Sequence, residues 1–426
     1  MEHMLSESST QRDSLPSRLR KKEQAQCLDS LACNKTGNPI PNLSNVVNFL
    51  KGWPDLADLV ALDEFANRII LRSKPPWQDD EFLEREWTSD DDSGLQIFLQ
   101  DNDLNITQPR IIMQAIAFVA KATRFHSVQD YLYNLNWDGA ERVRYWLHTY
   151  LGCGDTSYHS KVGQMFLISA IARILKPGCK ADHIAIFEGK QGSGKSTAVQ
   201  ILAGHWACEH IPDLHHKDAM AQLSGMWLIE LSELSAMKGR EAETIKSFLS
   251  RQTDRYRPAY GARPLDFPRQ CIFVGTTNTA EYLHDLTGNR RFWPIQCGDI
   301  DLTRLREDRG QLWAEALQLY RNGVAWWPTN TEETELFARE QEQRREEHPW
   351  EGQIAEYLEV HRQHELFLPD IISEALNLEL KAIAPHQARA VSGIAQRHGW
   401  RKKPRRNVDG KKLQPYEYVG NDREDR

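Results

Sequence analysis

The chain has 426 residues, room for about three domains at roughly 150 residues each, and its 40% hydrophobic and 27% charged content is that of a globular protein. With 53 basic against 60 acidic side chains the net charge is −7, which excludes a polycation of histone type but leaves room for a local basic face. The best candidate for a membrane span, residues 162–175, is shorter than the roughly 20 apolar residues required and carries Arg173, so no membrane protein is expected.

Residues 1–41 are polar, without apolar periodicity or a secretory h-region, and predict a disordered leader. Seven cysteines, an odd number with no C-x-x-C pair, suit the reduced thiols of a cytoplasm. A helical N-terminal domain is expected over 42–151, from Val46, Val47, Leu50, Leu56, Leu59, Val60, Phe65 and Ile69 at helix-like spacing and a second helical run at 108–123. Over 152–330 the apolar β-type runs 184–187, 227–231 and 271–276 alternate with helices, which predicts an α/β core with a mainly parallel sheet. The mixed charges of 331–349 read as a solvated linker helix. Residues 350–426 read as three helices, a stop at Gly399, and a hairpin turning at Asp409-Gly410, the order of a winged helix.

The chemistry concentrates in the core. Gly189-Lys190-Gln191-Gly192-Ser193-Gly194-Lys195-Ser196, with Thr197 next, fits the loop that binds nucleoside triphosphates in P-loop NTPases. Its glycines let successive N–H groups turn toward phosphate oxygens, and the following helix adds a positive N-terminal end. Lys195 is expected to reach the β and γ phosphates and Ser196 to ligate Mg²⁺. The run 227–231 then brings Glu230, with Glu233 three residues on, to hold metal and polarise water. Spacing leaves their division open; Glu230 is assigned the metal and Glu233 the base. Asn278, ending the third apolar strand, is placed to bond the γ phosphate or the attacking water. Arg290 and Arg291 are candidates for a finger reaching a neighbour's γ phosphate, or for a sensor within one subunit.

Together with 131–141 and Lys176-Pro177-Gly178-Cys179-Lys180, the motifs Trp-Leu-Ile-Glu-Leu-Ser-Glu-Leu, Phe-Pro-Arg-Gln-Cys-Ile-Phe-Val-Gly-Thr-Thr-Asn and Thr-Gly-Asn-Arg-Arg-Phe-Trp-Pro-Ile resemble the virulence-associated protein E family of phages and mobile elements. The resemblance covers about residues 115–327. That family is similar to superfamily 3 helicases, AAA+-related hexameric motors. The resemblance therefore implies an ATP- and Mg²⁺-dependent homo-hexamer or similar ring acting on DNA in replication inside a bacterial host. A separate primase is the implied partner, since no primase-like carboxylate module stands in this chain. It also implies a pore-lining hairpin within 251–264, where Arg257 and Arg263 would track phosphates and Tyr260, at the tip, would stack on a base.

A second basic group, Arg397, Arg401, Lys402, Lys403, Arg405 and Arg406 with Lys411 and Lys412, suits DNA phosphates at the winged helix. His205, Cys208, His210, His215 and His216 match no usual zinc spacing and are set aside as a metal site. The reading that follows is an ATP-dependent DNA helicase or translocase. Its alternatives are an ATP-regulated winged-helix initiator or interference factor without unwinding activity, and a small-molecule kinase on the same loop.

Overall fold

The computed structural model describes residues 17–208, 219–232, 240–258, 263–279, 282–283, 289–345, 348–379, 383–408 and 410–420. The chain starts with α1 (Ser17–Asp29) and α2 (Leu43–Gly52), then β1 (Val60–Asp63), β2 (Arg68–Leu71), β3 (Arg85–Glu86), α3 (Ser89–Asp101), α4 (Pro109–Ala120) and β4 (Arg124–Phe125). The strands form a sheet of order β3-β2-β1-β4, in which β1 runs antiparallel to β2 and parallel to β4.

Two expectations fail here. The leader does not extend to residue 41: α1 docks Cys27, with Leu31 just beyond it, into a core that includes Val46, Phe49 and Leu50. A mostly polar helix with only a few inward apolar residues leaves almost no periodic signal in sequence. Residues 1–16 lie outside the described residues. Nor is the N-terminal part all helical. Residues 59–71 make a β-hairpin whose turn uses Asn67 at φ 52, and Ile69 and Leu71 alternate inward while Arg68 and Ile70 are only half-buried. The helix-like spacing of Leu59, Val60, Phe65 and Ile69 arose from two short strands read as one element.

The central part contains α5 (Ser127–Tyr133), α6 (Trp146–Leu151), α7 (Ser157–Leu175), β5 (Ile184–Glu188), α8 (Lys195–Ala203), β6 (Ala207–Cys208), α9 (Ala219–Gln222), β7 (Leu228–Leu231), α10 (Arg240–Leu249), β8 (Thr253–Tyr256), β9 (Leu265–Pro268), β10 (Ile272–Thr277), β11 (Phe292–Gln296) and α11 (Leu302–Arg321). Five strands build one sheet of order β11-β5-β10-β7-β6, every neighbour parallel. The sheet is covered on both sides, which is why its strands read as apolar runs rather than alternating ones. Ala185 and Phe187 join α7, α8 and α11 in one core, while Ile184 and Ile186 face a second core with Ile245 and Phe248 of α10.

Beyond α11, α12 (Asn330–Glu332) continues through a π-turn at Glu333–Phe337 into α13 (Ala338–Gln343). The expected solvated linker is instead packed. Phe337 is 1% exposed, its ring between those of Tyr158 and Trp293 at 5.1 and 5.3 Å, and Gln341 Nε2 donates to Phe292 O at 3.0 Å. Two inward residues four apart suffice to seat a helix whose remaining positions are charged. The last part comprises α14 (Glu351–Val360), β12 (Leu366–Phe367), α15 (Leu368–Asp370) with a π-turn through Ala375, α16 (Pro385–Arg397), β13 (Trp400–Lys402), β14 (Arg406–Val408), β15 (Lys411–Leu413) and β16 (Pro415–Tyr418). β16 pairs antiparallel with both β12 and β13, β14 pairs with β15, and Gly399 at φ 82 ends α16. Its own core holds Ile354, Leu358, Ile371, Val391, Ile394, Trp400 and Tyr416. No described helix is long and apolar enough to cross a membrane.

Candidate active site

β5 runs straight into the glycine loop. Gly189, Gly192 and Gly194 take φ of 150, 76 and 93°, a region that side chains disfavour, and a Cβ at Gly194 would also come within 3.2 Å of Leu302. The loop delivers the chain to Lys195, the first residue of α8. Lys195 is 6% exposed; its Nζ donates to Gly189 O and Lys190 O at 2.8 Å and to Asn278 Oδ1 at 3.1 Å. Burial lowers its pKa from the ordinary lysine value, an effect that Glu230 opposes. Ser193 Oγ lies 3.4 Å from the same ammonium, and Gln191 and Gly192 form the exposed crest of the loop, with Thr197 half-buried behind it.

Parallel register brings the other groups to this edge. Thr277 pairs with Glu188, so Asn278 stands beside Gly189, and Val274 pairs with Glu230 of β7. Ser196 Oγ donates to Glu230 Oε1 at 2.6 Å, and Thr276 Oγ1 donates to the same oxygen at 2.7 Å. Glu230 is 3% exposed, whereas Ser196 opens to solvent. A helix N-terminus, glycine N–H groups and a lysine suit an anion. The exposed hydroxyl on a buried carboxylate suits a hard divalent cation beside it. Lys195, Ser196, Glu230 and Asn278 are thus brought together; Glu233 lies outside the described residues.

Arg290 and Arg291 are at the other end of the sheet. Phe292 pairs with Ile184 and Gln296 with Glu188, so both arginines precede the start of β5 while the loop follows its end. At about 3.3 Å per residue that is roughly 16 Å along the strand, farther than a guanidinium extends from its own backbone. That separation does not suit a sensor within the same subunit. Arg291 Nε lies 3.6 Å from Asp182 Oδ2, whereas Arg290 is exposed and makes no ion pair among the described residues.

The cations sort by their partners. β8 and β9 form a two-stranded hairpin in which Arg255 pairs with Asp266 at 3.2 Å, while Asp254 is buried against Arg269 at 2.6 Å. Neither acid then opposes Arg257 or Arg263, which are exposed just beyond the last pair, Tyr256 with Leu265, toward the turn. Tyr256 is stacked on Phe267 at 4.4 Å, and Tyr260 lies outside the described residues. In the C-terminal group Arg401, Lys402 and Arg405 are exposed. Lys403 pairs with Glu417 at 2.5 Å and Arg406 with Glu365, so these two are already partly neutralised. Arg397 is bound to Glu351 at 3.0 Å.

Sequence reading missed Thr276 and Glu188. The polar residue ending an apolar strand was the signal for Thr276, and only the pairing of β10 with β7 shows which acid it serves. Glu188 had a plainer mark, a carboxylate closing an apolar strand directly before a glycine. Of the residues set aside as a zinc cluster, the His205 ring leans on Trp206 at 4.0 Å and Cys208 lies on β6; His210, His215 and His216 are outside the described residues.

Comparison with known proteins gives one family match. The model of the virulence-associated protein E-like domain matches residues 132–347, half of the chain. No curated protein matches it. Among solved structures, the apo structure of the NrS-1 C terminal region is similar at 13% identity and a TM-score of 0.44, over 85% of this chain and 96% of that one. The A form apo structure of the same region has the same identity and TM-score over 84% and 96%.

Proposed function

This chain belongs to the virulence-associated protein E-like family, and from that premise we propose that it is an ATP hydrolase whose turnover is coupled to movement on DNA, in the replication of a phage or mobile element. The observation that carries the reading is the convergence of Lys195, Ser196, Glu230, Thr276 and Asn278 at one end of the parallel sheet. The ATP phosphates would lie on the Gly189–Gly194 backbone with Lys195 against them. Mg²⁺, held by Ser196 and Glu230, would neutralise charge on the β and γ phosphates. Asn278 orients the γ phosphate or the attacking water, and Glu233 is the proposed base.

The arginines argue for a ring. Arg290 sits too far from its own loop to stabilise charge there, and its exposed place at the opposite edge suits a neighbouring subunit's γ phosphate. A homo-hexamer or similar closed ring satisfies this with one interface repeated. Arg257, Arg263 and Tyr260 would then point a hairpin at single-stranded DNA, and the C-terminal part, read as a winged helix, would add Arg401, Lys402 and Arg405. The test is ATP turnover with and without single-stranded DNA, beside a strand-displacement assay. Stimulated turnover with displacement supports a helicase, stimulated turnover alone supports the initiator reading, and no turnover at all overturns both.

A further inference from the structure

Glu188, the last residue of β5, is 2% exposed and directly precedes Gly189. Its carboxylate accepts from Tyr282 Oη at 2.6 Å and from Arg344 Nε at 3.0 and 3.1 Å. Arg344 follows α13, and its carbonyl accepts from the backbone N–H groups of Tyr282 and Leu283 at 3.2 and 3.1 Å. The next residue, Arg345, turns the other way and donates to both oxygens of Glu351, at 2.6 and 3.0 Å. Glu351 opens α14 and also accepts from Arg397 of α16, at 3.0 and 3.3 Å. These contacts run unbroken from the residue before the glycine loop to the helix that leads into Arg401 and Lys402.

The side chains in this chain of contacts are largely withdrawn from water: 2% exposed for Glu188, 11% for Arg344, 14% for Arg345, 10% for Glu351 and 21% for Arg397. Charges so placed interact strongly and are costly to separate, unlike surface pairs. Although burial opposes the ionised form of Glu351, Arg345 and Arg397 hold its carboxyl below the usual glutamate range. Arg344 and Arg345, adjacent in sequence, thus fasten one acid under the loop and one acid of the C-terminal part.

We propose that Arg344 and Arg345 are positioning residues that form a clasp between the phosphate loop and the C-terminal part, so that an anion drawing Arg397 away from Glu351 is felt at Glu188. The consequence for turnover rests on the nucleotide reading of the loop; the clasp itself does not. Through Glu351, Arg397 would then bias the phosphate loop without touching it.

Hydrogen exchange on the full chain, without nucleotide, tests this. Glu351→Gln and Arg344→Met should each speed exchange across 186–198 by about tenfold, Arg344→Lys should restore part of the protection, and the double variant should add little to either single one. Tyr416→Phe, which removes the 2.8 Å bond to Ser392 within the C-terminal core, should leave 186–198 unchanged. Unchanged exchange there in both Glu351→Gln and Arg344→Met, or an equal increase in Tyr416→Phe, overturns the clasp. A separate titration with a fluorescent ATP analogue keeps the two ideas apart, since absence of binding to the unaltered chain counts against the nucleotide reading alone.

Discussion

Ser196 Oγ and Glu230 Oε1 are 2.6 Å apart, joining the first turn of α8 to β7 across the end of the sheet. That is a hydrogen bond; two neighbouring oxygens on one octahedral Mg²⁺ lie about 2.9 Å apart, so taking up the cation would open the pair by only a few tenths of an ångström. Glu230→Gln keeps the size and the hydrogen bonds but removes the charge. Its Mg²⁺-dependent ATP turnover should fall by about 10² or more, with the affinity for a non-hydrolysable ATP analogue changed far less. Steady-state kinetics beside a binding titration check it.

The two arginines should separate. Arg290→Ala is expected to lower turnover by roughly 10³ while nucleotide binding is retained, and mixing it with Lys195→Ala protein should restore part of the activity. Arg291→Ala, which loses the contact to Asp182, should show mainly in thermal stability. Activity in the mixture requires a finger that acts between subunits, so failure of the mixture to recover counts against the ring.

Salt dependence can sort the C-terminal cations. Each of Arg401→Gln, Lys402→Gln and Arg405→Gln should reduce the slope of log K against log salt for DNA by about 1. Lys403→Gln and Arg406→Gln should reduce it less, because Glu417 and Glu365 already neutralise these two side chains.

Acid stability has a local source in Asp91, which closes the capping box of α3. Burial works against its charge, but Arg85 at 2.6 Å and the Thr88 N–H and hydroxyl hold its pKa down to about 2, from an ordinary 3.8. Because the folded value is the lower one, its contribution is complete above about pH 3.8 and is lost as pH falls toward 2. Urea unfolding at a series of pH values should show this loss, and Asp91→Asn should flatten it.

The loop, its strand and its helix were legible because every residue concerned is adjacent in sequence and the apolar runs flanking it are unbroken. Glu230 and Asn278 were legible for the same reason, as polar residues at the ends of buried strands. What a single strand does not carry is its partner's register. Thr276 serves Glu230, and Arg290 lies at the far end of the sheet, only because of how β5, β7, β10 and β11 pair. The packed helix at Phe337 and the docked α1 were hidden by their many charged positions, whereas the few inward residues decide where such helices sit. The Asp409-Gly410 turn correctly placed the pairing of β14 with β15, with Asp409 itself outside the described residues.

The central claim is that the 189–197 loop turns over ATP. The most direct measurement is phosphate release from ATP by the full chain and by Lys195→Ala, with thermal melting of both. Mg²⁺-dependent release by the unaltered chain and its loss in Lys195→Ala, with a single cooperative melting transition retained in both, is the expected result. Equal release by the two proteins would contradict it.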